Sequence, residues 1–201
     1  MADTTTAQLV TPHYNFLTWN VRGMATANRR RRIRAYLRRH NIDIAYLQEM
    51  HMTHKGLAGL GKTWQGQIYG TSFSSYARGV LIWVAREVPY TISSHSIDAE
   101  GRYVVLEGSL DGSPLALIAV YVPNTNLSPF LENLSLALLQ DPNIPTIWGG
   151  DYNSVPNIDL DRSHPPLPGA ASIGASHCLN TWLTHNRIHD VWRLLHPTVR
   201  E

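Results

Sequence analysis

The chain has 201 residues, 43% of them hydrophobic, enough for one domain with a real core and few for two. Its formal net charge is only +2, and a single cysteine, Cys178, excludes an internal disulfide framework and a cysteine-built zinc centre. The longest apolar run, residues 115–122, is too short to span a bilayer as a helix.

Residues 1–13 are polar, without the basic-then-apolar order of a secretion signal, and read as a flexible tail. The expected compartment is reducing, nuclear or cytoplasmic. Residues 14–19 (YNFLTW) alternate as a strand that ends at Asn20. Asn28 is placed to cap a helix over residues 29–40, with Ile33, Tyr36 and Leu37 as its apolar stripe. Seven arginines lie between Arg29 and Arg39. Such a run is a solvated helix face, a nuclear address or a phosphate-binding face.

Residues 42–47 (IDIAYL) form a second predicted strand, ending in Gln48 and Glu49. A carboxylate there can bind a metal, act as a base or simply cap a turn. Next, Gly56 to Thr63 spell the spacing of a phosphate-binding loop, with Lys62 in the lysine position. Such a loop needs a strand directly before it and a helix directly after it. Polar residues precede this one and glycine-interrupted sequence follows, so the motif reads as a decoy.

Residues 80–84, 90–94, 103–107 and 115–122 read as consecutive strands, with Asp111 and Gly112 marking a hairpin. A run of strands without helices argues against a simple alternating parallel sheet. The last of them ends near Tyr121, whose phenol can share an edge with Asn20 and Glu49 or cap the core. Residues 129–140 have the apolar spacing of an amphipathic helix. The stretch IPTIWGGDYN over residues 144–153 then begins as a buried strand and ends in two glycines, an acid, an aromatic and an amide. Along an extended backbone Asp151 and Asn153 project to the same side, and the glycines let something bulky approach. A hard cation or a phosphodiester suits such a place; an ordinary turn explains it as well. Residues 165–175 read as a loop and residues 178–185 as a helix. His185 and His189 lie four apart, as helical metal ligands do, but lack an acidic partner and read as surface residues.

In this order, TWNVRG, DIAYLQE, SSYARGVLIWV, EGRYVVLEG, VYVPN, GGDYN with LDRS, and DVWRLLHP resemble the endonuclease/exonuclease/phosphatase superfamily. The resemblance covers residues 14–201. Within the superfamily it points to the endonuclease domains of LINE-type (non-LTR) retrotransposons, related to exonuclease III and the apurinic endonucleases. It implies an α/β fold, two mixed β-sheets packed as a sandwich with helices outside, DNase I-like. It implies a divalent-metal-dependent phosphodiester hydrolase acting on DNA, with Mg2+ or Mn2+ as cofactor. Glu49 would bind the metal with Asn20 assisting at metal and phosphate, Asp151 would align the attacking water, Asn153 would hold the scissile phosphate, and Tyr121 would contact it. Family members continue beyond the segment matching DVWRLLHP to a Ser-Asp-His motif. The expectation is therefore a domain incomplete at its C-terminus, with apolar surface uncovered. The alternatives are an inactive fragment that at most binds nucleic acid through the basic helix, or a phosphomonoesterase of the same fold.

Overall fold

The computed structural model describes residues 13–137, 141, 143–162 and 171–200. The N-terminal tail, except His13, and part of the loop expected over residues 165–175 lie outside the described residues.

Strands β1 (Phe16–Asn20) and β2 (Ile44–Gln48) are parallel and joined by helix α1 (Ala27–Arg39). Helix α2 (His54–Leu60) leads to β3 (Gln67–Thr71) and β4 (Val80–Val84), giving a mixed sheet in the order β1-β2-β4-β3. Strands β5 (Tyr90–Ile97), β6 (Tyr103–Leu110) and β7 (Ser113–Tyr121) form an antiparallel meander. Helix α3 (Leu127–Ala137) carries the chain to β8 (Thr146–Asp151), parallel to β7, closing a second mixed sheet in the order β5-β6-β7-β8. Helices α4 (Ala171–His185) and α5 (Val191–Leu195) follow. The sandwich of two mixed sheets expected from the resemblance is what the chain forms. No helix among the described residues is long and apolar enough to cross a membrane.

The period of two along the strands sorts the core into two layers. Val104, Leu106, Leu115, Leu117 and Ala119 face the first sheet and join its Ile44, Leu47, Leu81 and Ile82, together with Ile33 and Leu37 of α1. Val105, Ile118 and Val120 face the other way, toward Phe130, Leu131 and Leu134 of α3 and Leu179 and Trp182 of α4. Residues 115–120 are all buried because both faces of β7 are covered.

The two sheets come into close contact at Gly149. A Cβ built on it would fall 2.3 Å from Tyr46 Cδ2 and 2.8 Å from Tyr46 Cβ, so the ring of Tyr46 on β2 lies flat against the backbone of β8. The Tyr46 hydroxyl then donates to the Ile147 carbonyl at 3.1 Å. At Gly150 a Cβ would meet the Val120 carbonyl oxygen at 2.4 Å. Sequence reading assigned these glycines to the approach of something bulky; what approaches is the protein itself.

Several boundaries differ from the sequence expectation for identifiable reasons. Thr26, not Asn28, caps α1, its Oγ1 accepting from Arg29 N at 3.3 Å, while Asn28 lies inside the helix. Tyr36 is 41% exposed and stacks on Trp19, leaving Ile33 and Leu37 as the buried stripe. Helix α2, not foreseen, contains Gly56 and Gly59, poor helix formers held by the Thr53 cap and buried Leu60. It absorbs the first glycines of the phosphate-loop look-alike, spending amides that such a loop would aim at phosphates. Strand β3 was also missed, because Gly70 interrupts its pattern and pairing with β4 defines it. The strand run is thus five long, β3 to β7. Residues 171–175, expected in a loop, begin α4. His185 ends α4 and His189 lies beyond it, both exposed, so their spacing is not helical. On α5, Val191, Leu194 and Leu195 are 66%, 65% and 69% exposed.

Replacing Gly149 by alanine is expected to cost about 1–3 kcal/mol, since Tyr46 and β8 must part. Urea unfolding of Gly149→Ala against wild type measures it, and in a double-mutant cycle the cost of Gly149→Ala should shrink in a Tyr46→Ala background, where the clash is already gone.

Candidate active site

Both sheets contain one parallel pair, β1–β2 and β7–β8, and all four strands deliver their C-terminal ends to one edge of the sandwich. Strand β1 packs against β8 there. Polar residues at strand ends that are scattered in sequence are therefore gathered in space, in the crevice position favoured by parallel βαβ units.

The gathering is direct. Asn20 Nδ2 donates to Asp151 Oδ2 at 2.7 Å, across 131 residues of sequence. Asp151 Oδ1 accepts from Asn153 N at 3.0 Å, and Asn153 Nδ2 donates to the Val122 carbonyl at 2.7 Å. The Asp151 carboxylate is thus held at both oxygens and keeps further lone pairs for a water or ligand. Asn153 has left the strand: its φ is 49°, so Asp151 and Asn153 are joined side chain to backbone through a turn rather than aligned by strand alternation. Asn20 Oδ1 accepts from Arg22 N at 3.1 Å, which fixes the amide's orientation.

Glu49 caps β2 with a φ of 52°. Its carbonyl accepts from Gly23 N at 2.7 Å, one rung of a short ladder in which Val21 N bonds Gln48 O and Met24 N bonds Met50 O. The ends of β1 and β2 therefore stay zipped beyond the strands. The Tyr121 hydroxyl faces Glu49 and Asn153. Burial, then the Glu49 charge, pushes its phenol above the ordinary range, so Tyr121 stays a proton donor. A cleft of about 550 Å³ opens beside this group, lined by Thr18, Trp19, Asn20, Asp151, Asn153 and Arg162 among others. Glu49 and Tyr121 flank it rather than line it.

Two residues went unremarked in the sequence. His51 Nε2 is 3.4 Å from Glu49 Oε2, and Arg162 reaches the cleft from the LDRS segment. That segment is anchored by an ion pair between Asp161 and Arg193, which joins it to α5. Nothing in the local pattern marks His51, because its approach to Glu49 depends on backbone torsions. The basic helix is partly structural: Arg29 Nη1 donates to the Gly23 carbonyl at 3.0 Å, Arg30 to Met24 at 3.2 Å and Arg34 to Thr63 at 2.6 Å. Among the described residues no group of three or more histidines, cysteines or acids gathers as a metal cage.

Residues 17–197 match the profile of the Endonuclease/Exonuclease/phosphatase family. The chain belongs to that family. Among curated proteins, the Transposon TX1 uncharacterized 149 kDa protein of Xenopus laevis is 26% identical over 183 residues. The match takes in 90% of this chain and 14% of that relative's length. Among solved structures, the catalytic domain of Xenopus laevis APE2 superposes with a TM-score of 0.69 at 22% identity, covering 92% of this chain and 73% of that one. The AP endonuclease LMAP from Leishmania major gives 0.66 at 16%, covering 93% and 70%. The endonuclease domain of TRAS1, a telomere-specific non-LTR retrotransposon, gives 0.62 at 12%, covering 89% and 73%. At these identities the structural likeness speaks for the family fold.

The Asn153 turn offers a test. Asn153→Gly keeps the left-handed conformation but loses the bond to Val122, whereas Asn153→Ala loses the bond and strains φ. The alanine variant should be less stable than the glycine variant by about 1 kcal/mol in urea unfolding.

Proposed function

We propose that this domain is a divalent-metal-dependent phosphodiester hydrolase acting on DNA, of the retroelement endonuclease type. The observation that carries the reading is the Asn20–Asp151 hydrogen bond, which couples the two sheets at an edge where Glu49, Tyr121 and Asn153 also converge. Family membership gives the reaction class. The transposon relative and the TRAS1 neighbour support DNA as substrate.

The donor set fits a hard divalent cation, Mg2+ or Mn2+, which keeps several waters and needs only one or two carboxylates. Glu49, its side chain 22% exposed, would hold the ion, with the Asn20 amide oxygen at hand on its second lone pair. A bound ion would neutralise charge that builds on the phosphate oxygens. The protein's own groups do the rest. Asp151, fixed at both oxygens, aligns the attacking water and accepts its proton. Asn153 presents its amide beside the scissile phosphate. Tyr121, kept protonated by burial, donates a hydrogen bond to a phosphate oxygen as its charge grows. Arg162 at the cleft wall supplies a charge for a neighbouring phosphate.

The 201-residue chain should nick supercoiled plasmid with Mg2+ or Mn2+ and not with a chelator. Glu49→Gln and Asp151→Asn should each lower the rate by at least about 100-fold. Folded protein that binds plasmid without nicking it in any metal would replace this reading with one of nucleic-acid binding alone.

For Tyr121→Phe the loss should be about 10- to 100-fold. Because the Tyr121 phenol titrates above its ordinary range, the wild-type rate should show no fall from its ionisation through neutral and mildly alkaline pH. A wild-type alkaline limb near pH 9 that disappears in Tyr121→Phe would contradict the donor role.

A further inference from the structure

His51 Nε2 stands 3.4 Å from Glu49 Oε2. The backbone that presents the two side chains is left-handed at both residues, Glu49 at φ 52° and His51 at φ 51°, on either side of buried Met50. Non-glycine residues hold that conformation only where their surroundings impose it, and such strain gathers at ligand clamps. Here the segment is bonded on both flanks. Met50 N donates to the Gly79 carbonyl at 3.1 Å and His51 N to the Arg78 carbonyl at 3.0 Å, while Glu49 O and Met50 O accept from Gly23 and Met24. Gly23, at φ +95°, leaves room for the imidazole: a Cβ there would come within 3.4 Å of His51 Nδ1.

From this geometry we propose that His51 is a metal ligand together with Glu49, making the ion site a carboxylate–imidazole pair that prefers Mn2+ to Mg2+. The inference rests on the hydrolase reading in which Glu49 holds the ion. Two donors bound to one cation at about 2.1 Å, subtending roughly 90–110°, lie about 3.0–3.4 Å apart. The spacing seen here falls at the upper end of that range. Both side chains are reachable, 24% and 22% exposed, and water completes the coordination. Imidazole is a borderline donor that suits transition metals, whereas Mg2+ selects oxygen, so the pair sets a preference that a lone carboxylate lacks.

The test loads the 201-residue chain with Mn2+ and records pulsed electron paramagnetic resonance. Wild type should show hyperfine coupling to an imidazole nitrogen. His51→Gln and His51→Ala, each checked for native near-ultraviolet dichroism, should lose that coupling. Both should bind Mn2+ about tenfold more weakly, while their Mg2+ affinity changes by less than about twofold. Mn2+ bound without nitrogen coupling, or coupling that persists in both His51 variants, overturns the proposal. If binding in that case is still lost in Glu49→Gln, the hydrolase reading stands while His51 reverts to a hydrogen-bond partner of Glu49. Wild type that binds neither ion overturns the proposal and the metal role of Glu49 together.

Discussion

The architecture turns on one steric constraint, the Tyr46 ring lying on the backbone of Gly149. No side chain fits between them, because any Cβ on Gly149 would sit inside the ring's van der Waals surface. The consequence is that β8 comes close enough to the first sheet for Asn20 to reach Asp151. Tyr46 also secures the contact chemically. Its hydroxyl is spent on the Ile147 carbonyl, and burial raises its phenol far above the ordinary range, so it stays neutral in the core. A larger residue at position 149 would separate the sheets and break the bond between Asn20 and Asp151 before it touched any group of the site.

The site is built by two βαβ units facing each other across that contact. In each, a helix returns the chain so that two parallel strands end together, and side chains at their tips meet over the open edge. Past the strand tips the backbone is held by hydrogen bonds, with Met24 and Met50 packed in the core beneath it. Arg22, Glu49, His51 and Asn153 all take positive φ there, and the ladder from Val21 to Met24 keeps the first unit's ends zipped. Some stability is given up for fixed donors at a place where water must enter. Two α1 arginines, Arg29 and Arg30, serve the same end, bonding carbonyls of the loop that carries Gly23 and so backing the Glu49 segment from behind.

Sequence patterns were informative where burial is one-sided or complete. Residues 80–84 and 115–122 read as strands because a fully covered strand must be apolar throughout, and residues 80–84 and 115–120 are buried without a break. The amphipathic period of α1 likewise marked Ile33 and Leu37 for the core. Patterns failed where tertiary pairing overrides local preference. Strand β3 carries a glycine and α2 carries two, and each survives on a neighbour, β4 in one case and the Thr53 cap with buried Leu60 in the other. The phosphate-loop look-alike shows the converse: correct spacing without the flanking strand has no backbone geometry to act through.

The sequence by itself determined the chemistry available: an amide, a carboxylate, a phenol, a second carboxylate and a second amide, each ending an apolar run. Their order along the chain carried the family resemblance, because a strand's polar end is a local feature that one sequence can display. Only the tertiary structure decided which of them touch. The 2.7 Å bond between Asn20 and Asp151 spans two sheets, and His51 approaches Glu49 on a left-handed segment bonded to the loops at Gly23–Met24 and Arg78–Gly79. Neither is encoded in any local window, since distance across a sandwich and the sign of φ are set by what packs on the other side.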